Sequence, residues 1–76
     1  MNMKKIVEII NDVTGIDEEK ILPQADLKMD LQIDSLDAVE IGMALEEEYS
    51  ITIPQEELEN FRTVTDIASF IARAVA

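Results

Sequence analysis

The chain has 76 residues and a formal net charge of −11, and it contains neither cysteine nor histidine. Their absence excludes disulfides, thiolate nucleophiles and zinc sites built from these residues, and it removes the commonest general acid or base near neutral pH. A chain this acidic repels phosphate backbones and anionic lipids, so we expect no nucleic-acid partner and no membrane partner.

The first predicted element is an amphipathic helix near the N-terminus, in a chain short enough to form a single domain over residues 1–76. Its apolar stripe has helical spacing and consists of Ile6, Ile9, Ile10 and Val13. Gly15 is a natural stop for this helix. Polar residues interrupt the stretch, so it is neither a signal peptide nor a membrane span, and we expect a cytoplasmic protein.

A long connection follows over residues 16 to 34, where the sequence has no clean period. A short helical turn is predicted near residues 17 to 21. A loop of this length in so small a domain is usually functional or packed on the core. The apolar side chains that we expect to hold it there are Ile21, Leu27, Leu31 and Ile33.

The second predicted helix runs from about residue 35 to about residue 49 and has two apolar faces. At about 100° per residue, its core face consists of Ala38, Ile41, Gly42, Leu45 and Tyr49. A glycine in mid-helix costs roughly 1 kcal/mol relative to alanine. Gly42 therefore indicates either a close approach of another helix or space left open in the core.

The other apolar face of this helix is a narrow strip made of Leu36, Val39 and Met43, called the apolar strip below. Glutamates lie along it, with Glu40 and Glu47 on one edge and Glu46 on the other. One bundle face cannot bury both stripes. The strip is either a docking surface for proteins with basic patches or an ordinary scatter of exposed apolar residues.

The last third of the chain predicts an extended connector over residues 51–53, a short third helix and a final helix. Pro54 suits the first turn of the third helix, and Leu58 and Phe61 are its predicted buried residues. Thr63 and Asp66 have the spacing of a capping box. The apolar stripe of the final helix consists of Val64, Ile67, Ala68, Ile71 and Val75. The predicted fold is all-α, a small antiparallel bundle of three main helices plus one short helix, with a long first loop.

The most informative pair of residues is Asp34 and Ser35, at the predicted start of the second helix. Both residue types cap helices by accepting hydrogen bonds from first-turn N–H groups. A helix start also stabilises an attached phosphate, although Asp34 and Asp37 oppose one by like-charge repulsion. The residues alone leave a cap and a phosphate attachment point as alternatives.

Residues 30 to 48, DLQIDSLDAVEIGMALEEE, resemble the central segment of type II acyl carrier proteins. The family pattern there is typically Asp-Leu-Gly-x-Asp-Ser-Leu-Asp-x-Val-Glu, followed by an apolar helix that ends Ala-Leu-Glu-Glu-Glu. The resemblance continues in Ile53 and Pro54 and in Thr63 and Val64. It implies a non-enzymatic carrier in which Ser35 bears a covalent 4'-phosphopantetheine arm and Asp34 assists the transferase that attaches it.

The resemblance also implies the partners and the cargo. The partners are a phosphopantetheinyl transferase and the acyl-transferring and chain-elongating enzymes of fatty-acid, polyketide or specialised lipid synthesis. Acyl groups are carried as thioesters on a thiol that the arm supplies, since the chain has no thiol of its own. The residues predicted to contact partners are Leu36, Asp37, Val39, Glu40, Met43, Glu46 and Glu47. We expect a monomer.

Three departures from the family pattern bear on the site. One is Met29, which stands where an acidic residue is common and so weakens any cation site near Asp34. Gln32 stands where the family usually has glycine, so we expect a different backbone in the turn before Ser35. Ile41 and Gly42 replace two larger apolar residues, which changes the shape of any acyl pocket. Two alternatives are an unmodified acidic interaction domain and a calcium-binding protein; the second lacks the Asp-x-Asp-x-Asp-Gly spacing of a calcium loop. No metal site is predicted.

Overall fold

The computed structural model describes residues 3–76, which form four α-helices in the predicted order. They are α1 (Met3–Thr14), α2 (Ser35–Tyr49), α3 (Gln55–Asn60) and α4 (Val64–Ala74), with a 3₁₀ turn, Glu18–Lys20, in the first loop. Within the described residues the only β-type pairing is an isolated antiparallel bridge between Asp26 and Thr63. The prediction of an all-α fold with three main helices, one short helix and a long first loop is confirmed. Met1 and Asn2 lie outside the described part.

Helix α1 buries the face that its apolar spacing predicts. Ile6, Ile9 and Ile10 are buried, and Val13 is half-buried against them. The helix ends just before Gly15, which has a φ of 78° and donates its N–H to Asn11 O at 2.8 Å. Glycine reaches this left-handed conformation without steric cost, so the predicted stop is confirmed.

The core is built from aliphatic side chains of α1, α2 and α4. Its most deeply buried members are Ile6, Ile10, Leu45, Val64, Ile67 and Ile71. The long first loop contributes Ile21 and Ile33, which are buried, while Leu27 and Leu31 are half-buried against the core. No described polar or charged residue is buried. The stability of the fold therefore depends on apolar contact rather than on an internal polar network.

Helix α4 begins with the capping box that the spacing of Thr63 and Asp66 predicts. Thr63 Oγ1 accepts the N–H of Asp66 at 3.2 Å, and Asp66 Oδ2 accepts the N–H of Thr63 at 3.2 Å. The predicted core position of Val75 is wrong, because its side chain is 50% exposed. The helix ends at Ala74, so Val75 lies past the last turn that packs on the core.

The short helix α3 and the segment before it lie against α2. Pro54 immediately precedes the first residue of α3 rather than lying within its first turn. Leu58 is half-buried and Phe61 is buried. The Phe61 ring meets Phe70 edge to face, with ring centroids 5.7 Å apart. These contacts join the end of α3 to the middle of α4.

Hydrogen bonds to backbone carbonyls attach the first loop to the start of α4. The N–H of Leu27 donates to Arg62 O at 2.7 Å. Thr65 donates twice to Pro23 O, from its N–H at 3.2 Å and from its Oγ1 at 3.0 Å. These bonds fix the loop at Pro23 and at Leu27, on either side of residues 24–26, and so set the path of the chain toward α2.

Asp26 organises the same loop from within. Its Oδ1 accepts the N–H groups of Lys28 at 2.9 Å and Met29 at 2.8 Å. Its Oδ2 lies 3.5 Å from Arg62 Nε. The N–H of Met29 is the main cause of a lowered pKa for the Asp26 carboxyl; partial desolvation opposes this shift, while the Lys28 N–H and the Arg62 charge add to it.

Substitutions on the two faces of α2 should distinguish the core face from the exposed apolar strip by their effect on stability. Leu45 is completely buried, so Leu45→Ala should lower the free energy of unfolding by roughly 2–5 kcal/mol through lost contact and a residual cavity. Met43 is 63% exposed, so Met43→Ala should change it little. Urea unfolding of the two variants measures both values. Comparable losses in the two variants would contradict the assignment of the faces.

Asp26 should make part of the stability dependent on pH. A carboxyl whose pKa is lowered on folding stabilises the native state above its unfolded pKa, and this contribution is lost as pH falls below the ordinary carboxyl value of about 4. Asp26→Asn should therefore be less stable than wild type near neutral pH, and the difference should shrink in acid. Urea unfolding across this range, with Asp12→Asn on α1 as the control, measures it. A deficit that stays constant with pH would contradict the role of the charge.

Candidate functional site

Asp34 caps α2, and Ser35 is the first residue of that helix. Asp34 Oδ1 accepts the N–H of Asp37 at 2.8 Å, and Asp34 O accepts the N–H of Ala38 at 2.9 Å. The capping role considered for Asp34 is confirmed, but the same role for Ser35 is wrong, because Ser35 already lies inside the helix. Its side chain is exposed. The Ser35 hydroxyl is therefore available at a helix start.

The turn that leads into this helix has a left-handed residue. Gln32 has a φ of 56°, a conformation that costs a residue with a side chain roughly 1–2 kcal/mol. Glycine adopts it freely. Gln32 thus takes a conformation that glycine favours. The next side chain, that of Ile33, is buried, and its N–H donates to Leu27 O at 2.9 Å.

An apolar cavity of about 370 Å³ opens beside Ser35, within the usual size range of ligand pockets. We call it the α2–α3 cavity. Its apolar lining consists of Leu27, Ile33, Ala38, Val39, Ile41, Leu45, Leu58, Phe61 and Ile67. Its polar lining residues are all exposed and consist of Lys28, Asp34, Ser35, Gln55 and Glu59. The cavity thus has an apolar interior and a polar rim that includes Ser35.

A larger hollow of about 720 Å³ lies along the first loop, lined by Ile16, Lys20, Leu22 and their neighbours. None of the site residues predicted from the sequence lines it. The α2–α3 cavity is therefore the hollow that adjoins the predicted site.

The apolar strip lies on the outer face of α2 and is exposed to solvent. Leu36 is 67% exposed, Val39 41% and Met43 63%. Glu40 and Glu47 are exposed beside it, and Asp37 is half-buried. Because Val39 also lines the α2–α3 cavity, the strip and the cavity adjoin on the same helix near Ser35.

Glu46 differs from its neighbouring glutamates. It is half-buried, and its Oε2 accepts the N–H of Ile53 at 2.7 Å. It therefore holds the connector between α2 and α3, a structural role that the sequence does not indicate. The bond joins residues seven apart across a loop, so no helical or strand spacing reveals it.

Neither a metal site nor a membrane helix is found in the described part of the chain. Residues 3–76 contain no group of three or more carboxylate, His or Cys side chains that could hold a metal ion. None of their helices is both long and apolar enough to cross a membrane.

The family described as "phosphopantetheine attachment site" matches residues 4–71. The structure and this match together define a phosphopantetheine-bearing domain. A solved structure from Mycobacterium tuberculosis, described as an acyl carrier protein, superimposes with a TM-score of 0.86 at 28% identity. It covers 93% of this chain, which in turn covers 95% of that one.

Curated relatives narrow the class further. An acyl carrier protein from Thermosynechococcus vestitus is 46% identical over 97% of this chain and 91% of its own length. An acyl carrier protein from Syntrophobacter fumaroxidans is 49% identical over 91% of this chain and 85% of its own length. The meromycolate extension acyl carrier protein of Mycobacterium tuberculosis is 44% identical over 90% of this chain and 59% of its own length. The chain belongs to the acyl carrier proteins, which are carriers rather than enzymes and bear 4'-phosphopantetheine.

The cap predicts a graded response to substitution at Asp34. Asp34→Ala removes the acceptor for the Asp37 N–H and should cost about 1 kcal/mol of stability. Asp34→Asn keeps a side-chain oxygen in the same place and should stay within a few tenths of wild type, because asparagine caps helices as well as aspartate. Urea unfolding measures both variants. Equal losses for Ala and Asn would show that the charge, not the hydrogen bond, stabilises the helix start.

Proposed function

We propose that Ser35 is the residue that bears the 4'-phosphopantetheine arm, joined through a phosphodiester. The observation that carries this proposal is the exposed Ser35 hydroxyl at the start of α2, on the rim of the α2–α3 cavity. The positive end of the helix dipole favours a phosphate there. Ser50 lies at the opposite, negative end of α2, and Ser69 lies within α4, so neither offers this environment.

Asp34 would serve both the fold and the attachment reaction. Its Oδ1 is engaged by the Asp37 N–H, while no hydrogen bond to Oδ2 is found within the described residues. The second oxygen can therefore face the transferase or a metal ion that the transferase brings. The arm then supplies the thiol that the protein lacks, and the protein holds and presents it.

The α2–α3 cavity supports a second element of the proposal, that the acyl chain is sheltered inside the domain. Its interior is lined by aliphatic and aromatic side chains, and its rim includes the attachment residue. Each methylene moved from water into such a site contributes about 0.8 kcal/mol. The relatives named for meromycolate extension support a lipid pathway, and we propose cargo from fatty-acid, polyketide or specialised lipid synthesis.

As an acyl carrier protein, the chain interacts with a phosphopantetheinyl transferase and with synthesis enzymes. We propose that these partners dock on the apolar strip through basic patches. Ten acidic residues lie between Lys28 and Arg62 with no cationic side chain among them, which favours rapid association with cationic surfaces. Leu36, Val39 and Met43 supply the contact area. Asp37 and Glu46 are half-buried, so Glu40 and Glu47 should carry most of the charge effect. The cytoplasmic location and the monomeric state stay predictions.

Attachment at Ser35 can be tested by mass. The protein is incubated with a phosphopantetheinyl transferase, coenzyme A and magnesium, and the modified peptide is mapped after digestion. One arm per chain, confined to the Ser35 peptide, is the expected result. Ser50→Ala and Ser69→Ala should be modified as wild type, whereas Ser35→Ala should not be modified. An arm on Ser35→Ala would refute the assignment and with it the proposed site.

The docking surface predicts a salt-dependent loss. Glu40→Lys and Glu47→Lys should slow association with the transferase by up to about tenfold at low ionic strength, because they reverse the charge that steers a basic partner. The effect should shrink as salt is added. Met43→Ala should weaken the same reaction with little dependence on salt. Stopped-flow or steady-state kinetics measures these rates.

Glu18→Lys is the matched control, since it makes the same charge change on an exposed residue of the first loop. An equal effect of Glu18→Lys and Glu40→Lys would show that only net charge matters. The surface of α2 would then have no special part in docking.

A further inference from the structure

Gly42 leaves a recess in α2 that a side chain from α3 fills. A Cβ built on Gly42 would lie 3.0 Å from Leu58 Cδ1 and 3.4 Å from Leu58 Cδ2. The neighbour is the flexible end of a side chain rather than backbone. Of the two explanations that the sequence leaves open for Gly42, the structure supports a close approach, made by one leucine.

Leu58 borders the α2–α3 cavity as well as the recess at Gly42, so its position affects the cavity. Its side chain is part of the wall of the α2–α3 cavity, whereas Gly42 is not. Leu58 is only half-buried and belongs to a helix of six residues, so it is held less firmly than Leu45 or Ile67 in the same wall. A Cβ on residue 42 would require Leu58 to shift by a few tenths of an ångström, and this shift would change the wall of the cavity that Leu58 borders.

We propose that Gly42 and Leu58 together set the length of acyl chain that this protein shelters. The inference rests on the proposed function, because it requires an acyl chain on Ser35 that enters the α2–α3 cavity. With its methyl groups in the Gly42 recess, Leu58 lies back against α2 and leaves the cavity open. The cargo class is an apolar acyl chain, since the interior wall offers apolar contact and its polar groups are confined to the rim.

The pair can be tested by loading acyl chains of increasing length. Wild type and variants are loaded by a transferase with coenzyme A thioesters of straight saturated acids, and Tm is measured for each product. Buried methylenes stabilise the native state, so Tm of wild type should rise with chain length and level off once the cavity is full. The chain length at which Tm levels off is the quantity compared.

Leu58→Ala removes three carbons from the wall, so Tm should level off at a chain roughly three methylenes longer than in wild type. Gly42→Ala shifts Leu58 toward the cavity, so Tm should level off at a shorter chain than in wild type. The double variant has no Leu58 side chain to displace, so it should match Leu58→Ala. This lack of additivity is the signature of direct contact between the two positions.

Matched controls are Gly15→Ala, a glycine with open space around it, and Leu31→Ala, a half-buried leucine outside the cavity wall. Both should keep the wild-type length whatever they do to Tm itself. If Leu58→Ala does not fold, Leu58→Val makes a smaller change of the same sign.

The outcomes separate the two proposals. If Tm levels off at the same chain length in wild type, Leu58→Ala and Gly42→Ala, the role of the pair is refuted. The proposals for Ser35 and the cavity would still stand. A wild-type Tm independent of chain length, with mass showing the acyl arm on Ser35, would refute the sheltered chain and this inference with it. Failure to load Ser35 at all would refute the attachment site itself.

Discussion

The attachment of the first loop to the start of α4 is the constraint on which the site depends. The apolar side chains of the loop are scattered along it, yet the end of the loop must place Ser35 beside the cavity. Hydrogen bonds from Leu27 to Arg62 and from Thr65 to Pro23 fix its middle on α4. Ile33 then inserts into the core two residues before Ser35. Because α2 starts directly after this anchor, its first turn has a defined position over the α2–α3 cavity.

The protein combines a small aliphatic core with a surface of one dominant charge. Carboxylates in the middle of the sequence repel one another, which opposes compactness but favours rapid encounter with cationic partners. No described charged residue is buried. Individual carboxylates serve the fold instead through backbone N–H groups, as Asp34, Asp66 and Glu46 do. The same side-chain type thus stabilises loops and helix starts in some places and is left to solvent in others.

Much of the fold follows from local patterns. Helical spacing located α2 from residue 35 to residue 49, Gly15 marked the end of α1, and the Thr63–Asp66 pair marked the start of α4. These features depend on neighbours within a few residues, so sequence reveals them. Periodicity predicts a core position for Val75 that the structure contradicts, because periodicity does not show where a helix stops packing on the core. Residue type does not predict the φ of 56° at Gln32, because a residue with a side chain disfavours that conformation.

The sequence by itself determined the helices, the two faces of α2 and, through the motif around Ser35, the kind of carrier to which the chain belongs. Those properties are encoded in spacing and residue type along a continuous stretch. Only the tertiary structure decided that Asp34 rather than Ser35 is the cap, that Glu46 holds Ile53, and that Leu58 fills the recess at Gly42 in a cavity wall. These depend on distances between groups, several of them on separate elements, and packing of the whole chain sets such distances.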